Sequence, residues 1–180
     1  MGCGGVGISA VQGAAIAGAA EIVAVDINDG KLEIAETFGA TRSLNPRRGD
    51  IAEQVMEWTG WRGADSTIMT TDLLTPPLIS DGFRTIRRGG TLVLVSATHR
   101  RHTSIGGVMP VDVAFSEKTI TGCVYGGARA GVDLVRNLRL YTQGRLKIDE
   151  MITRTYPPEE VNVAFDDMYQ GRNVRGLINF

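Results

Sequence analysis

The sequence predicts a doubly wound α/β fold on a parallel sheet, and three observations predict it. The first is Met1-Gly2-Cys3-Gly4-Gly5-Val6-Gly7, which runs directly into a segment of mostly small residues over 8–19. Gly2, Gly4 and Gly7 have the spacing G-x-G-x-x-G. In that spacing one glycine makes the tight turn, one lets backbone approach a pyrophosphate, and one lets the helix pack close to a strand. The second is Glu21-Ile22-Val23-Ala24-Val25-Asp26, a short apolar run rich in β-branched residues that ends in an acid and reads as a buried parallel strand. The third is the alternation of strand and helix from there to residue 96, one unit in roughly 20 to 30 residues.

Glycine fills 23 of 180 positions, so the glycine spacing alone recurs easily by chance. Followed by helix, strand and acid in that order, it becomes specific. The free N–H groups of the helix N-terminus face a phosphate, and Asp26 falls at a strand's C-terminal end, about 20 residues past the glycines, where an acid hydrogen-bonds an adenosine ribose. The plainer alternative for Asp26 is a solvated residue that begins the next helix.

A chain of 180 residues holds one full domain and part of another. The 43% hydrophobic and 22% charged content is ordinary for a globular protein in water. A net charge of −1 supplies no basic field for nucleic acid or an anionic membrane. The pairs Arg47-Arg48, Arg87-Arg88 and Arg100-Arg101 read as solvated loop or helix-end charges. With no apolar run of transmembrane length and no leader pattern, the expected location is the cytoplasm. Cys3 and Cys123 are too few for a disulfide framework and lack zinc-cluster spacing; both read as small buried or loop residues. His99 and His102 could share a metal only from one helix face. Their segment has no helical periodicity and no third ligand, so it reads as an exposed loop, and no metal ligand is assigned.

Beyond Asp26 the elements follow in order. Asn28 or Asp29 caps a helix with Leu32, Ala35 and Phe38 inward, closed by Gly39. A short strand over 40–44 is broken by Asn45-Pro46, Asp50 caps a helix over 51–59 with Ile51 and Val55 inward, and 64–70 is a strand. Pro76-Pro77 starts a helix running to about Arg87 that Gly89-Gly90 stops, and 91–96 is the clearest strand, apolar and buried on both faces. Then come a polar stretch over 98–110, a strand over 118–125 turned by Gly126-Gly127, a helix over 132–141, and a last helix after Pro157-Pro158 carrying Val161, Ala164, Phe165 and Met168. A strand over 177–180 closes the chain. The final 55 or so residues do not repeat the βα unit and read as part of another domain.

Taken together the residues resemble the C-terminal half of the zinc-containing, medium-chain alcohol dehydrogenases, especially the class III type and the bacterial nicotinoprotein alcohol dehydrogenases. The likeness rests on Gly2 through Ser9, on Ala24-Val25-Asp26-Ile27-Asn28 with Lys31, on Phe38-Gly39-Ala40-Thr41 and on Asn45-Pro46. It resumes at Gly89-Gly90-Thr91, Lys118-Thr119-Ile120-Thr121-Gly122, Tyr125-Gly126-Gly127 and Asn173-Val174-Arg175-Gly176. It implies a Rossmann-type domain over 1–124, truncated at its N-terminus, and a C-terminal part of the catalytic domain over 125–180.

The resemblance also implies roles. Gly2, Gly4, Gly5, Val6 and Gly7 would cradle NAD phosphates, Asp26 would hold the adenosine ribose with Lys31 beside it, and Ile27 would lie against adenine. Val95, Ala97 and Tyr125 would flank the nicotinamide, and Arg175 would bind the pyrophosphate. The plain readings are a solvated cation for Arg175 and a core aromatic for Tyr125. The implied reaction oxidises a small-molecule alcohol to an aldehyde, in a homo-oligomer. The segments 139–146 and 156–162 look more like the nicotinoprotein branch, where the cofactor stays bound.

Two departures qualify the likeness. The family's zinc ligands belong to an N-terminal half that is not in this sequence, so no catalytic residue is assigned. The first strand of the cofactor domain, expected just before the glycines, is also missing, which leaves two central neighbours each short of a partner and reads as a truncated or split gene. The chain on its own is therefore expected to be poorly soluble or molten, to bind NAD weakly and to oxidise no alcohol. The competing readings are a non-catalytic nucleotide-binding remnant and an S-adenosylmethionine methyltransferase.

Overall fold

In a computed structural model, which describes residues 1–95 and 105–180, the chain forms two compact units. One comprises Met1–Gly2 with Leu44–Gly127, the other Cys3–Ser43 with Ala128–Phe180. The fold is α/β with parallel pairing, as the sequence predicts.

The second unit begins with α1 (Gly5–Ile16), whose N-cap is Gly4. Ile8 and Val11 lie in a core with Cys3, Ala24, Leu32, Ala35 and Phe38. Strand β1 (Val23–Val25) is followed by α2 (Asp29–Thr37). The Asn28 side chain accepts from the Lys31 N–H and caps α2. Gly39, at φ +111°, closes it, and a Cβ there would stand 2.9 Å from that of Ala15. β1 pairs with β2 (Arg42–Leu44) in a two-stranded sheet.

The first unit holds α3 (Ile51–Trp58), β3 (Ala64–Met69), α4 (Pro76–Thr85), β4 (Ile86–Leu94), α5 (Pro110–Ser116) and β5 (Thr119–Gly122). Asp50 caps α3 by accepting from the Glu53 N–H at 2.8 Å. The three strands form a sheet in the order β3-β4-β5, parallel throughout. Met69, Ile79, Phe83, Ile86 and Leu92 are its core.

Two boundaries differ from the sequence reading here. The helix after Pro76 ends at Thr85 rather than near Arg87, and the chain is already strand at Ile86, so Gly89-Gly90 lie inside β4 and stop nothing. They serve a bulge: Ala64 faces Ile86 but Ser66 faces Thr91, and Gly89 takes φ +66° within the detour. The strand expected over 118–125 ends at Gly122; Tyr125–Gly127 form a 3₁₀ turn with all three residues at positive φ.

The rest of the second unit is α6 (Ala130–Thr142), β6 (Ile152–Tyr156), α7 (Val161–Tyr169) and β7 (Arg175–Ile178). β6 and β7 pair in parallel, so the closing residues do contain a strand-helix-strand unit, contrary to the sequence reading. Ile152, Thr153, Thr155 and Tyr156 are good strand formers, but Arg154 among them hides the apolar pattern. α7 also departs from its apolar pattern. Phe165 and Met168 are exposed, and the buried residue is Asp167.

Where the strand before the glycines is missing, the sequence predicts a gap or a repaired pairing of lower quality. β1-β2 and β3-β4-β5 are separate sheets. On β3, Met1 supplies the start of a further ladder: its ammonium donates to the Ile68 carbonyl at 2.8 Å, and the Thr70 N–H donates to the Met1 carbonyl at 2.8 Å. That is the hydrogen-bond pattern of a parallel neighbour beside Met69.

Candidate functional site

In the second unit the N-terminus of α1, the end of β1 and the start of β7 come together. The Ile8 N–H is bonded to the Gly4 carbonyl at 2.9 Å, so the N–H groups of Gly5, Val6 and Gly7 precede the first intrahelical bond and have no acceptor within the helix. Gly4 has open space where a side chain would be, Val6 is 54% exposed, and Gly7 is buried. A small, open backbone surface with outward N–H groups and the positive end of a helix dipole suits a phosphate.

Arg175, the first residue of β7, brings its guanidinium to this end. A Cβ on Gly5 would stand 3.4 Å from the Arg175 Cζ. The exposed cation thus lies across the first turn of α1.

Asp26 follows β1 and is half-buried. Its Oδ2 accepts from the Cys3 N–H at 2.7 Å and its Oδ1 from the Asn28 N–H at 2.9 Å. The carboxylate thus ties the glycine loop to the strand end, and each oxygen keeps a lone pair for a ligand hydroxyl. Ile27 beside it is exposed. Lys31 sits in the first turn of α2 with its Nζ against Gly171, where a Cβ would come within 2.9 Å of it. The Cys3 thiol is buried, and that burial pushes its pKa up to about 11, so it is a packing group and not a nucleophile.

In the first unit Gly2 takes φ +91°, and a Cβ there would lie 2.8 Å from the Thr71 backbone nitrogen; only glycine fits. Val95, just past β4, donates its N–H to the Met69 carbonyl at 3.0 Å. Tyr125 is 92% exposed, which corrects its plain reading as a core aromatic. Ala97, His99 and His102 lie outside the described residues.

Two features escaped the sequence. Gln12, 3% exposed, clamps the backbone of Lys147, donating to its carbonyl at 2.9 Å and accepting from its N–H at 2.8 Å. Asp167, 2% exposed, accepts from Arg154 Nη1 at 2.6 Å, the Tyr156 hydroxyl at 2.7 Å and Arg172 Nε at 2.6 Å. The Tyr156 hydroxyl and Arg172 hold the Asp167 carboxyl below the ordinary carboxylate range. Burial and the hydrogen bond to Asp167 raise Tyr156. No local sequence signal marks either cluster, because each joins segments through tertiary contacts.

Among the described residues no three His, Cys, Asp or Glu side chains gather where they could hold a metal ion, and no helix is long and apolar enough to cross a membrane.

Known proteins resemble this chain in sequence and in fold. The NDMA-dependent alcohol dehydrogenase of Amycolatopsis methanolica is 39% identical over 180 residues, which cover 98% of this chain and 47% of that protein. A putative alcohol dehydrogenase D of Mycobacterium tuberculosis is 37% identical over 98% of this chain and 48% of its own length. The benzyl alcohol dehydrogenase structure from Acinetobacter calcoaceticus superposes with a TM-score of 0.90 at 29% identity, covering 98% of this chain and 47% of that one. An alcohol dehydrogenase zinc-binding domain protein from Burkholderia ambifaria gives 0.90 at 30% identity, over 100% of this chain and 47% of the other. The chain thus spans about half the length of the relatives it matches, and corresponds to the C-terminal half of such enzymes. The sequence profile of the zinc-binding dehydrogenases matches residues 5–139, so α1 and Asp26 fall within the match, and the chain belongs to that oxidoreductase family.

Proposed function

We propose that these residues hold the dinucleotide of an NAD-dependent alcohol dehydrogenase, with 1–124 as the dinucleotide-binding domain and 125–180 as part of the catalytic domain. The observation that carries the reading is the Arg175 guanidinium against Gly5 at the start of α1, in one compact unit with an acid that grips the glycine loop. Bound NAD supplies a nicotinamide ring that accepts hydride from the alcohol as it becomes an aldehyde. The residues of this chain bind and orient. The N–H groups of Gly5, Val6 and Gly7 donate to the pyrophosphate, Arg175 neutralises it, and Asp26 accepts from the adenosine ribose hydroxyls. Ile27 covers the adenine, and Lys31 offsets negative charge nearby. The family resemblance alone assigns Gly2 to this loop and Val95, Ala97 and Tyr125 to the nicotinamide.

The family name implies zinc. The described residues do not fit a zinc site, so no step is routed through the metal and no catalytic residue is assigned. The competing reading is a nucleotide-binding protein without catalysis of its own. The substrate class proposed is a small alcohol or aldehyde, with the enzyme as a cytoplasmic homo-oligomer.

The test is an equilibrium titration of the 180-residue chain with NAD, NADP and S-adenosylmethionine, followed by assay of primary alcohols with an artificial acceptor and added zinc. NAD should bind best and no alcohol should turn over. Preference for NADP or S-adenosylmethionine overturns the cofactor, and zinc-dependent turnover overturns the absence of a catalytic group.

A further inference from the structure

We infer that Asp167 and Tyr156 are positioning residues for the pyrophosphate: through Arg172 and Asn173 they fix the strand start from which Arg175 reaches the N-terminus of α1. The inference rests on the cofactor reading above and assigns a role to residues that never touch the cofactor.

The chain between α7 and β7 is short, and nearly every residue of it is tied down. The Arg172 N–H donates to the Asp167 carbonyl at 2.8 Å, and its Nε donates to Asp167 Oδ1 at 2.6 Å. Asn173, buried, donates from Nδ2 to the Tyr156 hydroxyl at 3.0 Å, and that hydroxyl donates to Asp167 Oδ2. The Val174 N–H donates to Thr153 Oγ1 at 3.0 Å. On the far side of Arg175, Gly176 packs so closely on the Tyr156 ring that a Cβ would stand 2.9 Å from it. Arg175 is therefore held from both sides by groups that converge on one phenol and one carboxylate, while its own guanidinium is left to lie along Gly5.

Burial favours this arrangement over a merely structural ion pair. The Asp167 side chain is 3% exposed, whereas those of its partners Arg154 and Arg172 are 53% and 56% exposed. A carboxylate with three donors and almost no water has one arrangement that satisfies it, and that arrangement fixes residues 172 and 173. An arginine on a mobile strand end would lose rotamer and backbone freedom on meeting a phosphate; one already fixed loses less. Asp167 thus preorganises a cation three residues away from its own partner Arg172.

The experiment compares ligands with and without a pyrophosphate. NAD, ADP-ribose and adenosine are titrated by ligand-observed NMR into the 180-residue chain and into the Arg175→Ala, Asp167→Asn and Tyr156→Phe variants. Arg175→Ala should weaken NAD and ADP-ribose about tenfold or more, the scale of a lost charge-assisted contact, and leave adenosine alone. Asp167→Asn and Tyr156→Phe should weaken the same two ligands about three- to tenfold, leave adenosine within about twofold, and add less than about twofold in the Arg175→Ala background, since effects that pass through one residue are not additive. Tyr156→Phe keeps the packed ring and decides the matter should Asp167→Asn fail to fold. Equal loss of adenosine binding, or an undiminished effect in the Arg175→Ala background, makes the cluster structural only and overturns the inference. So does wild-type affinity in Tyr156→Phe while Arg175→Ala is impaired, which leaves the cofactor reading intact. A wild-type chain that binds NAD and ADP-ribose no tighter than adenosine overturns the cofactor reading and the inference together.

Discussion

Replacing Asp26 by alanine should cost stability and cofactor affinity by separable amounts. In the folded chain the two carboxylate oxygens satisfy the N–H groups of Cys3 at 2.7 Å and Asn28 at 2.9 Å. Cys3 is buried and Asn28 half-buried, so removing the acceptor strands the first N–H, at about 1–3 kcal/mol, while water rescues much of the second. The expected loss of stability is about 2 kcal/mol. For the cofactor, a carboxylate that accepts from ribose hydroxyls contributes about 1.5–3 kcal/mol, or roughly ten- to a hundredfold in NAD affinity.

NADP should respond in the opposite sense. Its 2′-phosphate meets like charge at Asp26, a repulsion of about 4 kcal/mol for unit charges 4 Å apart at an effective dielectric of 20, less at a half-exposed site in salt. Asp26→Ala removes that repulsion, so the preference for NAD over NADP should narrow from both ends. The assay is a thermal melt with parallel NAD and NADP titrations of both proteins at fixed ionic strength. Unchanged NAD affinity in the variant, or equal use of NADP by the wild type, would refute the reasoning.

Three further outcomes follow from particular contacts. Gly2→Ala places a methyl group 2.8 Å from the Thr71 backbone nitrogen at φ +91°, and should destabilise the unit containing Met1–Gly2 by about 1–3 kcal/mol, read as a lowered melting temperature. Gln12→Ala removes the clamp on Lys147 and leaves its part-buried backbone N–H and carbonyl to water, so a loss of about 1–2 kcal/mol is expected by denaturant titration. The pH dependence has a definite sign: the folded Asp167 carboxyl lies below its ordinary 3.8, so its contribution is present above that value and declines as pH falls through the folded one. Tyr156, raised in the folded state above its ordinary 10.0, contributes fully below pH 10 and declines as pH rises past its folded value. Acid and alkaline melts of Asp167→Asn and Tyr156→Phe should be flatter in those two windows than wild-type melts.

The legible parts of this molecule are those with local causes. The caps at Asn28 and Asp50, the closing glycine at 39 and the open loop at Gly4 each follow from a residue's own geometry or side chain. β6 was hidden because Arg154 interrupts its apolar pattern and exposes its charge while gripping Asp167. α7 misled because Val161, Phe165 and Met168 mark an apolar face that stays exposed, and its one buried residue is an acid satisfied by partners at 154, 156 and 172. Gly89-Gly90 resembled a helix stop, yet their freedom is used in a bulge that depends on the partner strand β3. Arg175 was assigned through resemblance; its approach to Gly5, 170 positions earlier, is a tertiary fact.

The most direct test of the cofactor site is an NAD titration followed by two-dimensional ¹H–¹⁵N NMR on the full 180-residue chain. The account predicts that the largest shifts fall on the backbone amides of Gly4, Gly5, Val6 and Gly7, on those of Asp26 and Ile27, and on the Arg175 Nε–H. The Trp61 indole, exposed on the other unit, should stay still. Saturating NAD that leaves the Gly4 to Gly7 amides and Arg175 unmoved, or that shifts residues elsewhere in their place, would contradict it.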